Sequence, residues 1–271
     1  VVGLVGSEMC IRDSFPSHLT GITVSAGLPQ AEIIAALQGF AELEVTEAYR
    51  APIEGLPEIK GRTLYIVNKE GAAQSSLRTA QPSIKYDATG DYYKAGLANF
   101  NLGGTFNSRI NLNLREDKGY TYGARSGFNG GPELGSFTVS TEVNKEATAA
   151  SVTEVLNELE SFATEGMNEE EYDFMRSAIG QRDALQYETP SRKLGLLNNI
   201  MRYDLPLNYR TQQANVLKET DRETLNALAN NLIQPENMAI VIVGDETVLR
   251  EELEALGMPI KRLDEDGFEI E

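Results

Sequence analysis

Apolar residues recur along this chain with two periods, and the switches between them set out the expected elements. Alternating or continuous apolar runs at 62–68, 74–81, 121–129, 135–143 and 237–243 predict five strands. Runs at helical spacing predict helices over 90–102, 147–165, 168–188, 190–202 and 221–232. Gly166 closes the first long helix, and Asn168 with Glu171 three residues on opens the second as a capping box. Pro82 is expected to close the second strand, and Asp221 to cap the helix after it. Asn129-Gly130-Gly131-Pro132 reads as the turn of an antiparallel hairpin. Together these elements predict an α+β fold: a mixed, largely antiparallel sheet with helices mainly on one face.

Two stretches echo each other. GITVSAGLPQAEIIAALQGF near the start and NMAIVIVGDETVLREELEALG near the end both read as strand, short turn, helix. The echo predicts two related domains, although strand-turn-helix units are common enough to repeat without relation. On the first reading, residues 15–44 are the strand-helix tail of a truncated first domain. Residues 45–61, with Pro52, Gly55, Pro57 and Gly61, are a linker, 62–263 a complete domain and 264–271 a solvated acidic tail. Residues 1–14 contain GSEMCIRDS, which is expected to be translated adaptor sequence and is set aside for fold reasoning.

Everything is organised around residues 103–128, GGTFNSRINLNLREDKGYTYGARSGF. Phe106, Ile110 and Leu114 stand four apart and are expected to share one helical face, which ends at Arg115. Gly119 breaks the helix, and Tyr120, Thr121 and Tyr122 open a strand. Arg109, Arg115, Lys118 and Arg125 stand against Glu116 and Asp117, so the stretch is locally basic in a chain of net charge −17. Such a strip suits recognition of carbonyl or carboxylate groups. Spacing alone also fits a helix-strand corner with a solvated arginine.

Composition narrows the chemistry. The chain has 271 residues, of which 41% are hydrophobic and 24% charged, as in ordinary soluble proteins. Its acidity argues against a nucleic-acid partner, and no apolar run is long enough for a membrane span. Cys10 is the single cysteine, so there is no intrachain disulfide, and the compartment stays open between periplasm and cytoplasm. His18 is the single histidine, so a zinc site with two histidines cannot come from this chain alone.

LGGTFNSRINLNLREDKGYTYGARSGF resembles the C-terminal half of the pitrilysin/insulinase-type zinc peptidases, the inverted zincins that include the mitochondrial processing peptidases. The resemblance runs from about residue 15 to 263, and Val243-Gly244-Asp245 resembles a domain end in that family. Arg115 and Tyr122 match the family's arginine–tyrosine pair, with Tyr120 the competitor if the register shifts. The resemblance implies that Tyr122 hydrogen-bonds the scissile carbonyl as it becomes an oxyanion. It implies that Arg115 holds a carbonyl or carboxylate of a peptide substrate. The family's H-x-x-E-H motif is absent from this chain. Zinc of the complete enzyme is therefore expected on an absent N-terminal half or a partner subunit, and this chain alone is expected to bind none and cut nothing. The alternative is a non-catalytic scaffold, like the core-type relatives in respiratory complexes.

Overall fold

Alternation builds the sheet. In β1 (Thr63–Asn68) Leu64 and Ile66 are buried, while Tyr65 and Val67 between them are half-buried. In β5 (Ala239–Gly244) Ile240 and Ile242 are buried on the same face. The two run parallel, with Leu64 beside Ile240 and Ile66 beside Ile242. β2 (Gln74–Ser83), β3 (Thr121–Gly130) and β4 (Gly135–Asn144) are antiparallel to their neighbours. β6 (Ile260–Leu263) pairs parallel with β1, and β7 (Glu269–Ile270) antiparallel with β6. The order is β3-β4-β2-β5-β1-β6-β7, which leaves β3 at one edge. The fold is thus the expected mixed α/β arrangement, mostly antiparallel.

This computed structural model describes residues 58–184 and 189–270. The expectations for 1–14 and 15–44, and most of the linker, lie outside the described residues. The chain divides into two compact units, residues 1–55 with 177–212 and residues 56–176 with 213–271.

The second unit holds the sheet and the helices that cover its buried face. α1 (Asp91–Asn99) continues as a π-helical turn, Phe100–Gly104. α2 (Arg109–Asn111) continues likewise through Leu112–Asp117. α3 (Thr148–Glu165) buries Val152, Val155, Leu156, Leu159 and Phe162 at helical spacing. Gly166, at φ +70°, ends it. α4 (Glu169–Ala184), whose residues from 177 onward fall in the other unit, starts on the expected reciprocal cap: Glu171 N–H donates to Asn168 Oδ1 (2.9 Å) and Asn168 N–H to Glu171 Oε2 (2.8 Å). α7 (Arg222–Leu232) is capped by Asp221, whose carboxylate accepts from Thr224 N–H (2.8 Å). α8 (Glu246–Glu254) follows β5 and buries Leu249 and Leu253.

In the other unit, α5 (Pro190–Tyr203) has Thr189 accepting from Arg192 N–H (3.3 Å) and Pro190 in its first turn. Asp204, at φ +50°, ends it. α6 (Tyr209–Glu219), which runs between the units in sequence, was not expected from the apolar pattern. Two further differences concern strands. Pro82 does not close β2: it pairs with Ser136, one residue before the strand ends at Ser83. Within the acidic tail, whose residues 265–270 are exposed, Glu269 and Ile270 form a short strand not expected from the pattern, pairing with Leu263 and Arg262. No described helix is long and apolar enough to cross a membrane.

Candidate functional site

The helical run that carries Arg115 is pinned from beneath. Ile110 and Leu114 are fully buried, which leaves Arg115 on the half-exposed side of the π turn. Phe106 does not share their face as expected. Thr105 and Ser108 are extended, α2 starts only at Arg109, and the Phe106 ring is 58% exposed. Its role is different: the Arg115 guanidinium carbon lies 4.5 Å over the ring, a cation–π contact. Arg115 Nε also stands 3.4 Å from Glu116 Oε1.

The chain then turns toward the sheet. Gly119 adopts φ +68°, a conformation that side chains disfavour. Tyr120 N–H donates to Leu114 C=O (2.8 Å), and Tyr120 C=O accepts from Asn144 N–H (2.9 Å). Tyr120 is half-buried and its backbone joins the helical run to β4. β3 then bulges: Thr121 pairs with Val143 and Ala124 with Thr141, so Tyr122 and Gly123 stand opposite the single residue Glu142. Thr121 Oγ1 closes the bulge, 2.6 Å from Glu142 C=O and accepting from Gly123 N–H at 3.1 Å. The bulge leaves Tyr122 89% exposed. Among the described residues nothing hydrogen-bonds its phenol.

The basic strip is less basic than its composition. Arg109 makes a two-pronged pair with Glu171 (Nε–Oε1 2.6 Å, Nη2–Oε2 2.6 Å), donates to Gly166 C=O (2.9 Å) and lies over the Phe162 ring. The hydrogen bond to Glu171 holds Arg109 above its ordinary pKa against the opposing effect of burial. Lys118 pairs with Glu154 at 3.0 Å, a contact that raises the lysine and lowers the carboxylate. Both expected cations are therefore neutralised by acids from outside the strip. Arg115 keeps its cation toward solvent, and Arg125 is exposed in β3 beside Ser140.

A zinc ion does not fit these residues. The chain has one histidine, and the described residues contain no cluster of three His, Cys, Asp or Glu side chains able to hold a metal. What remains is a guanidinium and a phenol seven residues apart, both anchored through their backbones.

Fold and site define a sheet-and-helix domain that presents a guanidinium and a phenol to solvent. The chain matches the family model "Peptidase M16 inactive domain" over residues 24–179 and belongs to that family, the C-terminal half of the inverted zincins. It is 23% identical over 162 residues to "Non-peptidase homolog YmxG" of Helicobacter pylori, covering 59% of this chain and 37% of that protein. The crystal structure of a peptidase M16 inactive domain from Pseudomonas fluorescens superposes with a TM-score of 0.68 at 28% identity. That match covers 80% of this chain and 51% of the other. Complex III2 from Candida albicans contains a chain of similar fold, with a TM-score of 0.59 at 12% identity over 83% of this chain and 55% of that one. This chain thus spans between a third and about half the length of these relatives.

Proposed function

We propose that this domain is the substrate-binding half of a zinc-dependent peptidase assembly. Arg115 and Tyr122 face a peptide held against an H-x-x-E-H-bearing half, either on the same longer chain or on a partner subunit. Arg115 binds a carbonyl or carboxylate of the peptide. Tyr122 donates to the scissile carbonyl oxygen as negative charge develops on it. Tyr120 lines the approach. The observation that carries this reading is the exposed Tyr122, held on a bulge. An apolar ring costs free energy to expose, and a bulge gives it a fixed backbone.

The test pairs this protein with an H-x-x-E-H-bearing M16 half and an unstructured fluorogenic peptide. Y122F should lower kcat about 100-fold with little change in KM, because oxyanion donors act in the transition state. R115A should raise KM about tenfold, the size of a lost charge-assisted hydrogen bond. A second reading, a non-catalytic scaffold, is favoured by the name of the H. pylori relative. It predicts stable association with partners that neither substitution alters, and no peptide hydrolysis in any mixture.

A further inference from the structure

Asn111 occupies a position that neither the pairing of the sheet nor the packing of the core requires to be polar. It lies one turn before Arg115 and is only 3% exposed. Its amide points two ways. Nδ2–H donates to Phe106 C=O at 2.7 Å, and Oδ1 accepts from Ala124 N–H at 2.9 Å. The partners fix the amide orientation, because a carbonyl only accepts and an N–H only donates. Phe106 is the ring under the Arg115 guanidinium. Ala124 is the first residue of β3 back in register after the Tyr122–Gly123 bulge. One buried side chain therefore ties the platform of the arginine to the base of the tyrosine.

We infer that Asn111 is a positioning residue that sets Arg115 and Tyr122 relative to each other, acting through Phe106 and the Ala124 amide. The inference deepens the proposed function and rests on it for its consequence in peptide binding, but its geometric content is separate. Asp keeps the acceptor for Ala124 and loses the donor to Phe106. Leu keeps the size and loses both. Ser is uncharged, smaller and reaches neither, which supplies a variant for the case that a buried carboxylate or leucine prevents folding.

The experiment uses the full chain, with thermal unfolding to confirm that each variant is folded. NMR follows the Arg115 Nε–H resonance, which the Phe106 ring should shift upfield, and amide exchange at Ala124. N111D should move the Arg115 resonance to its F106A position and leave Ala124 protected. N111L or N111S should do both, moving the resonance and exposing Ala124 to at least tenfold faster exchange. Binding of a labelled unstructured peptide, read by fluorescence anisotropy, should weaken threefold to tenfold in N111L or N111S. In the R115A background the same substitution should add less than it does in the parent, since part of its effect runs through Arg115. A folded N111L or N111S with an unmoved Arg115 resonance and a protected Ala124 overturns the inference, as does a fully additive double variant. If R115A binds peptide like the parent, the proposed function fails, and the resonance and exchange data still decide the role of Asn111.

Discussion

Gly103 is constrained by proximity rather than by backbone conformation. A Cβ there would stand 2.2 Å from Ser126 Oγ and 2.4 Å from Ser126 N, inside the backbone of β3. Asn99 meets the same residue, donating to Ser126 C=O (2.9 Å) and accepting from its hydroxyl (2.5 Å). The π turn therefore lies directly on the strand that carries Tyr122. G103A should destabilise the protein by about 1–3 kcal/mol in urea unfolding, the usual cost of overpacking. G127A, on the same strand with nothing within 4 Å of its Cβ position, should stay within about 0.5 kcal/mol of the parent. Equal losses in the two would mean that strand propensity, not contact, sets the cost. Gly103 and Gly104 stand side by side in the sequence, but the close approach does not show there, because it depends on a strand more than twenty residues away. Phe106 was misread for a related reason. Its spacing from Ile110 and Leu114 fits one helical face, but periodicity does not show that the helix begins only at Arg109. Asn111 left no signal at all, since a polar residue between two apolar ones reads as the solvent side.

At the scale of elements, the Arg109–Glu171 pair joins α2 to the start of α4. Burial pushes the Glu171 carboxyl up, but the hydrogen bond from Arg109, the Asn168 N–H and the arginine charge together hold it below its ordinary value. A carboxyl depressed in the folded state stabilises above its unfolded pKa, and that contribution is lost as pH falls through its folded pKa. E171Q should therefore cost about 1–2 kcal/mol at pH 7, the range of a partly exposed charged hydrogen bond. The difference from the parent should shrink as pH is lowered below the ordinary glutamate range; a gap that stays constant from pH 7 to 3 would assign the loss to the cap geometry alone. The capping box itself was visible in sequence because both partners lie within four residues. The Arg109 pair was not, being 62 positions apart. α6 was missed because its buried face, Tyr209, Gln213 and Leu217, has a glutamine at its centre. That glutamine is satisfied by donating to Ala88 C=O, a partner no local pattern announces. Pro82 was misread as a strand end. It lies past Ala80, the last residue of β2 paired with β5, where β2 has a neighbour on one side only and a missing N–H is tolerated.

At the scale of the whole molecule, the α+β class and all five expected strands followed from alternation, because long strands with a buried face announce themselves. β6 and β7 were too short to do so. The charge argument changes more. The chain carries −17, and two of the four cations of the central strip are tied to glutamates. Arg115, itself 3.4 Å from Glu116, and the exposed Arg125 thus remain as positive sites within a strongly negative field. Such a field attracts cationic ligands over distances set by screening, with a Debye length of about 10 Å at 0.1 M salt and about 3 Å at 1 M. Two labelled peptides of equal length and apolar content, one flanked by lysines and one by glutamates, separate the two scales. At low salt the lysine-flanked peptide should bind about tenfold tighter, mainly through a faster association rate. Raising the salt toward 1 M should bring the two affinities within about twofold, since only the short-range contact with Arg115 then remains. R115A should weaken both peptides at high salt and leave their ratio at low salt unchanged. If the glutamate-flanked peptide binds as well as the other at low salt, selection belongs to the arginine and not to the field. The charge of the chain would then serve solubility without choosing the ligand.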